Sequence, residues 1–270
     1  MRELGHATLP RANVLGVRIH AIDMDRAVLE SERLLASELR GYICVTGVHG
    51  VMEAQDDPDL RTILDEAFLC VPDGMPTVWV GKLQGFGTMG RVYGPDFMLE
   101  MCRRSQLRGY RHFLYGGAPG VVERLQARME LRMPCLRVVG TYTPPYGPLS
   151  RAQEVELMER VARARPDILW VGLSTPKQER FMAEYLGRLE VKLMVGVGAA
   201  FDLHAGLRRD APAWVKQCGL QWLHRLGQEP RRLGPRYLKH NPRFVWQVCR
   251  EMSKYWGRTE SPVRSNLEAP

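Results

Sequence analysis

Short apolar, β-rich runs alternate with helix-compatible stretches from residue 13 to residue 198, and this alternation restricts the fold more than any other feature. The runs are NVLGVRIHAI (13–22), YICVTG (42–47), AFLCVP (67–72), YRHFLYG (110–116), LRVVGTY (136–142), DILWVGL (167–173) and VKLMVGVG (191–198). Helices are expected near 24–39, 49–66, 75–84, 95–108, 119–132, 150–164 and 176–189. Parallel neighbours in a sheet need a crossover connection, and a helix between every two strands supplies one. The expected class is α/β: a doubly wound, mainly parallel, Rossmann-like sheet carrying a C-terminal helical basic appendage.

Sheets of this kind bind ligands at the carboxyl ends of their strands, so the candidate site residues are sought there. Those ends read Thr46-Gly47-Val48-His49, Pro72-Asp73-Gly74, Gly116-Gly117-Ala118-Pro119-Gly120, Gly172-Leu173-Ser174-Thr175-Pro176-Lys177-Gln178-Glu179 and Gly196-Val197-Gly198-Ala199-Ala200-Phe201-Asp202. Glycine there lets a ligand approach the backbone, and the helix N-termini just beyond offer free N–H groups to an anion such as a diphosphate. Asp73 follows an apolar strand, where a partly desolvated carboxylate acts well as a general base, but capping the helix that begins near Met75 suits it equally. Thr175 is placed to cap the next helix, with Pro176 in its first turn and Gln178 or Glu179 completing a capping box. Lys177 opposes the dipole of that helix, a conflict a bound anion would relieve. Asp202 and His204 suit catalysis or hydrogen bonding to nearby backbone, and His49 suits a structural role better than a metal one.

Several classes are disfavoured. The turn at Gly116–Gly120 is not GxGxxG and no acidic residue closes the following strand, which argues against an NAD-dependent oxidoreductase; a Walker-type loop is absent. The six cysteines (Cys44, Cys70, Cys102, Cys135, Cys218 and Cys249) are scattered without CxxC pairs, so they are expected to be reduced. No metal site is expected, since Asp56-Asp57-Pro58-Asp59 lacks the rest of an EF-hand loop. No apolar run reaches the roughly 18 residues of a membrane span, and the start of the chain lacks a signal-type apolar core, so a cytoplasmic location is expected.

Charge divides the chain. Residues 1–206 carry 25 Lys and Arg against 25 Asp and Glu, whereas residues 207–258 carry 12 basic against 3 acidic side chains. The expected organisation is a catalytic body over 1–206, a basic, Trp-rich appendage over 207–258 and a frayed tail over 259–270. Four of the six tryptophans (Trp214, Trp222, Trp246 and Trp256) lie in the appendage. From Pro242 to Arg258 a helical projection puts Arg243, Gln247, Arg250, Lys254 and Arg258 on one face, with Val245, Val248, Cys249, Met252, Tyr255 and Trp256 opposite. Basic, tryptophan-bearing amphipathic helices bind anionic membrane surfaces. Docking of the apolar face on the body is the plainer alternative. Nucleic-acid binding with a regulatory α/β body is another, though no recognisable reading motif is present.

Read in order, VPDGMPTVW (71–79), RVYGPDFML (91–99), FLYGGAPGVVERL (113–125), PDILWVGLSTPKQERFM (166–182), VGVGAAFDLHAG (195–206) and the appendage from Ala211 to Phe244 resemble the WecG/TagA/CpsF family of bacterial glycosyltransferases. The resemblance implies an inverting, metal-independent hexosyltransferase with no cofactor. Its donor would be a UDP-sugar of the N-acetylmannosamine or glucose type. The acceptor would be a polyprenyl-diphosphate-linked saccharide, in exopolysaccharide or cell-wall polymer synthesis, with the enzyme peripheral on the cytoplasmic face of the plasma membrane. It implies that Asp73 is the base, with Thr46 beside it. Substrate contacts are implied for His49, Arg91, Gly94, Asp96, Gly116, Gly117, Gly172, Pro176, Lys177, Gln178, Glu179 and Asp202. Arg225, Arg231 and Arg232 are expected to stabilise the departing UDP. No nucleic-acid partner is implied, and a homo-oligomer is left open. Many relatives carry TxN where this chain has Thr46-Gly47-Val48, so His49 stands nearest to a missing Asn contact.

Overall fold

The computed structural model describes residues 9–256. In chain order its elements are β1 (Arg11–Val14), β2 (Val17–His20), α1 (Met24–Ala36), β3 (Gly41–Thr46), α2 (Val48–Asp56), α3 (Pro58–Glu66), β4 (Leu69–Pro72), α4 (Met75–Leu83), α5 (Gly94–Arg108), β5 (Arg111–Gly116), α6 (Val121–Arg132) and β6 (Arg137–Tyr142). They continue with α7 (Arg151–Ala164), β7 (Ile168–Gly172), α8 (Lys177–Tyr185), β8 (Leu193–Gly196), α9 (Ala200–His204), α10 (Ala213–Gln217), α11 (Gln221–Gln228) and α12 (Pro230–Trp256).

Six strands form one sheet in the order β4-β3-β8-β7-β5-β6, and every pairing in it is parallel. Strand residues alternate between two apolar layers, as a period of two requires. Tyr42, Cys44, Cys70, Phe113, Tyr115, Leu169 and Val171 face α2, α3, α7 and α8. Ile43, Leu69, Val71, Leu114, Ile168, Trp170 and Val195 face α1, α5, α6 and α9. Both faces are buried, which is why these strands read as continuous apolar runs. The chain leaves β3 for β4 on one side and crosses back to β5 on the other. Such a reversal opens a crevice at the strand ends.

Two local expectations are corrected. The run at 13–22 is not one strand but part of an antiparallel hairpin, β1 and β2, with Val14 opposite Val17. Leu15 and Gly16 turn the chain at φ of +53° and +86°, and Asn13 Oδ1 accepts from the Gly16 amide at 2.7 Å. The helical run at 49–66 is broken, because Asp57 leaves helical geometry to cap α3 at the Leu60 amide, 3.0 Å away, with Pro58 in its first turn.

The appendage differs as well. The helix expected from Pro242 begins at Pro230 and runs through Pro235 and Pro242. Phe244 buries against the sheet body, and Arg243 forms a bidentate pair with Asp56 at the end of α2, both contacts 2.7 Å. Phe244 and Arg243 thus anchor α12 to the body, whereas Val245 and Cys249 of the expected apolar face stay exposed. The side chains of Lys254, Tyr255 and Trp256, together with Arg258 and the tail from 259, lie outside the described residues.

Candidate functional site

A cavity of about 590 Å³ opens where the ends of β3, β4 and β7 meet the appendage. Its floor is Val45, Gly47, Asp73, Gly74 and Thr175; one wall is α4, through Met75, Trp79, Val80 and Leu83; the roof is α11 and α12. The roof is largely apolar, with Leu233, Tyr237, Phe244, Val245 and Val248 turned inward. Polar groups come from the floor, with Asp73 and Thr175, and from the roof, with Gln221, Arg225, Arg236, His240 and Asn241.

Asp73 does not cap α4. Gly74 occupies the cap position without any side-chain bond, and the Asp73 carboxylate turns to the Gly94 amide that opens α5, 3.4 Å from Oδ1. The Asp73 amide donates to the Thr46 carbonyl at 3.0 Å, which ties the end of β4 to the end of β3. Burial pushes the Asp73 carboxyl above its ordinary range, while Arg91 and Arg225 pull it down. Arg91 donates through Nε to the Asp73 carbonyl and through Nη2 to Gln221 of α11, and its guanidinium lies 4.4 Å from the centre of the Tyr93 ring. One side chain thus joins the aspartate turn to the appendage.

Tyr93 and Gln221 continue that junction. The Tyr93 hydroxyl donates to Asp210 at 3.2 Å, Gln221 Nε2 donates to the same oxygen at 3.3 Å, and Lys216 bridges Asp210 and Asp96. Asp96 is accordingly engaged by the appendage. Thr46 is buried behind the floor, where its hydroxyl accepts from Cys70 Sγ at 3.3 Å.

The expected arginines separate. Arg225 lines the cavity; Arg232 is exposed and paired with Glu229; Arg231 is exposed and stands outside the cavity wall. Arg236 takes the inward position. Its Nε is buried without a partner, and burial with no neighbouring carboxylate pulls its pKa down to about 10. A guanidinium nitrogen buried without a partner at a cavity wall is chemically suited to an anion.

The remaining expected residues form the frame. Gly116, Gly117 and Gly172 allow β5 and β7 to meet: a Cβ on Gly116 would lie 2.7 Å from the Gly172 backbone, and one on Gly172 would lie 2.4 Å from Phe201. Thr175 does not cap α8; its hydroxyl donates to Glu179 Oε1 at 2.9 Å, beside Gln178 Nε2 at 3.0 Å. That carboxyl is fully enclosed, and burial raises its pKa. Pro176 precedes α8, and Lys177 points to the Tyr146 ring 5.2 Å away instead of into the cavity. Asp202 pairs with Arg208 at 3.0 Å, and His204 Nε2 lies 2.9 Å from the Pro95 carbonyl. His49 lines the cavity but is grouped with Glu53 and His240, a cluster absent from the sequence expectation.

Arg236 and His240 escaped the sequence pattern because the prolines at 235 and 242 masked one continuous helix, and Gln221 because its partner Arg91 lies 130 residues away in the chain. Extending the helical projection back from Phe244 through His240, Tyr237 and Leu233 would have shown the inward face.

Comparison with known proteins gives the family. An N-acetylglucosaminyldiphosphoundecaprenol N-acetyl-β-D-mannosaminyltransferase of Bacillus spizizenii is 29% identical over 198 residues, 73% of this chain and 74% of that protein. The Bacillus subtilis protein of the same name is 28% identical over 196 residues, 72% of this chain and 73% of that one. The model of the glycosyl transferase WecG/TagA/CpsF family matches residues 12–258, spanning both the sheet and the appendage that together enclose the cavity, and the chain belongs to that glycosyltransferase family.

Proposed function

We propose that this chain transfers a sugar of the N-acetylmannosamine type from its UDP donor to a saccharide carried on polyprenyl diphosphate. The placement of Asp73 supports this reading most directly: a carboxylate on the floor of a large cavity, with the guanidinium groups of Arg91 and Arg225 near it, Arg236 elsewhere in the cavity lining, and apolar side chains of α12 above. The relatives' names supply the donor and acceptor type.

In the proposed reaction Asp73 takes the proton of the acceptor hydroxyl while that oxygen attacks the anomeric carbon. The new glycosidic bond forms as the bond to UDP breaks on the opposite face, so configuration inverts. Negative charge that develops on the departing diphosphate is offset by Arg225 and Arg236, with Arg91 holding the aspartate turn to the appendage. No cofactor takes part, and the donor is itself a substrate. The polyprenyl chain would lie along the apolar roof formed by Leu233, Phe244, Val245 and Val248.

Among the described residues no helix is long and apolar enough to cross a membrane. Attachment would instead be peripheral, on the cytoplasmic face, through the exposed Trp79, Trp214, Leu220, Trp222, Leu223 and Trp246 beside the basic appendage. The test is product formation from a panel of radiolabelled UDP-sugars with lipid-linked acceptors. Transfer of N-acetylmannosamine to diphosphate-linked N-acetylglucosamine is expected, and failure with every UDP-sugar would overturn the proposal.

A further inference from the structure

We propose that His49, Glu53 and His240 bind a divalent transition-metal ion of the zinc class and thereby fasten α12 to α2. His49 and Glu53 lie four residues apart on α2, so they share one face of that helix, and His240 approaches from α12. Glu53 Oε1 is 3.7 Å from His49 Nδ1 and 3.2 Å from His240 Nε2, and the three ligand atoms all lie within 4.8 Å of one another. Tetrahedral coordination with bonds near 2.0–2.1 Å puts neighbouring ligand atoms about 3.3 Å apart. The trio is therefore close to ligating separation before any ion enters.

The hydrogen bonding of these groups is incomplete. At 3.7 Å the His49–Glu53 contact is too long for a hydrogen bond, and Nδ1 of His49 is buried with no partner. Nδ1 of His240 is likewise buried and unpartnered, in a residue only 3% exposed. Leaving buried ring nitrogens unsatisfied is unfavourable. A metal ion would give His49 Nδ1 the partner it lacks.

The donor set selects the ion. Two imidazoles with one carboxylate suit zinc and its neighbours, whereas calcium and magnesium prefer oxygen ligands throughout. Lys239, Arg236 and Arg243 also face His240, and of these Arg243 is neutralised by Asp56. The remaining cations weaken the site relative to a four-ligand structural zinc. Because His49 and His240 both line the cavity, water or a ligand oxygen completes the coordination.

The test uses full-length, tag-free protein stripped with a chelator and titrated with zinc chloride by calorimetry, then with Co2+ by visible absorption. One-site binding, tetrahedral Co2+ bands and slower amide exchange in α12 on zinc addition are expected. Glu53→Gln, which preserves side-chain size, and His240→Asn should each weaken binding roughly tenfold or more and remove the bands, with circular dichroism confirming that both remain folded. Wild-type protein that takes up no zinc, or variants that bind it as tightly as wild type, would overturn the assignment.

Discussion

Arg91 hydrogen-bonds the backbone of Asp73 and not its carboxylate: the guanidinium donates to the Asp73 carbonyl and acts on the carboxylate only through its charge, while the carboxylate is held by the Gly94 amide at 3.4 Å. This matters for a base. A bidentate Arg–carboxylate pair would fix the aspartate as a weak proton acceptor, whereas an arginine on the carbonyl positions the group and leaves its oxygens available. Asp73→Asn keeps shape and removes basicity. Turnover is expected to fall about 100-fold or more with UDP affinity nearly unchanged, measured by steady-state kinetics and calorimetry.

The pH profile should follow the same carboxyl. If Asp73 is the base, it works only when ionised, and kcat/KM is expected to decline as pH falls through its pKa, which burial holds above the ordinary 3.8. Arg225 pulls that pKa down. Replacing it with Gln removes the pull, and the acidic limb is expected to move to higher pH; Arg225→Lys should leave it nearly in place. A limb that stays put in Arg225→Gln would dissociate the arginine from the base.

Among the appendage cations, only those facing the cavity should matter to UDP. Arg236→Ala removes an unpartnered, inward-facing charge, and a charge-assisted hydrogen bond is worth about 1.5–3 kcal/mol. UDP binding is expected to weaken roughly tenfold or more. Arg231→Ala, at an exposed position outside the cavity, should leave it within about twofold. Equal effects at both positions would show that the appendage acts only through its overall charge.

Much of this architecture was legible in the sequence, for reasons visible in particular residues. Strands such as Ile168–Gly172 are enclosed on both faces, so their apolar runs announce a parallel sheet, and Asp73 stands at a strand end where ligands bind. Local chemistry was harder to read. Leu15-Gly16 turns a hairpin without the usual Asn-Gly signal, and Thr175 gives its hydroxyl to a buried carboxylate that spacing alone cannot locate. The His49–Glu53–His240 group depends on α12 folding back over α2, a tertiary fact with no footprint in local spacing.

Under the proposed peripheral attachment, exposed aromatic rings of the appendage would carry the membrane contact. Trp222 and Trp246 remain 39% and 59% exposed. The double variant Trp222→Ala, Trp246→Ala is expected to co-sediment less with anionic vesicles while keeping its melting temperature. Raising salt should weaken the wild-type association too, because each basic residue near an anionic surface contributes only about 1 kcal/mol through a screened interaction. Sedimentation unaffected by either change would place the membrane contact elsewhere.

Far from the cavity, His112 makes the fold sensitive to acid. Trp170 Nε1 donates to His112 Nδ1 at 2.8 Å, so that nitrogen must stay unprotonated, and burial lowers the imidazole pKa to about 4. The folded pKa lies below the unfolded value near 6.5, so the neutral imidazole favours folding above pH 6.5, and that advantage is lost as pH falls toward 4. At 1.36 kcal/mol per unit the contribution is on the order of 3 kcal/mol. His112→Gln offers the indole an amide oxygen and does not titrate. Its unfolding free energy, from denaturant melts between pH 7 and pH 4, is expected to fall less steeply with acid than that of wild type; parallel curves would mean that protonation of His112 plays no part in acid unfolding.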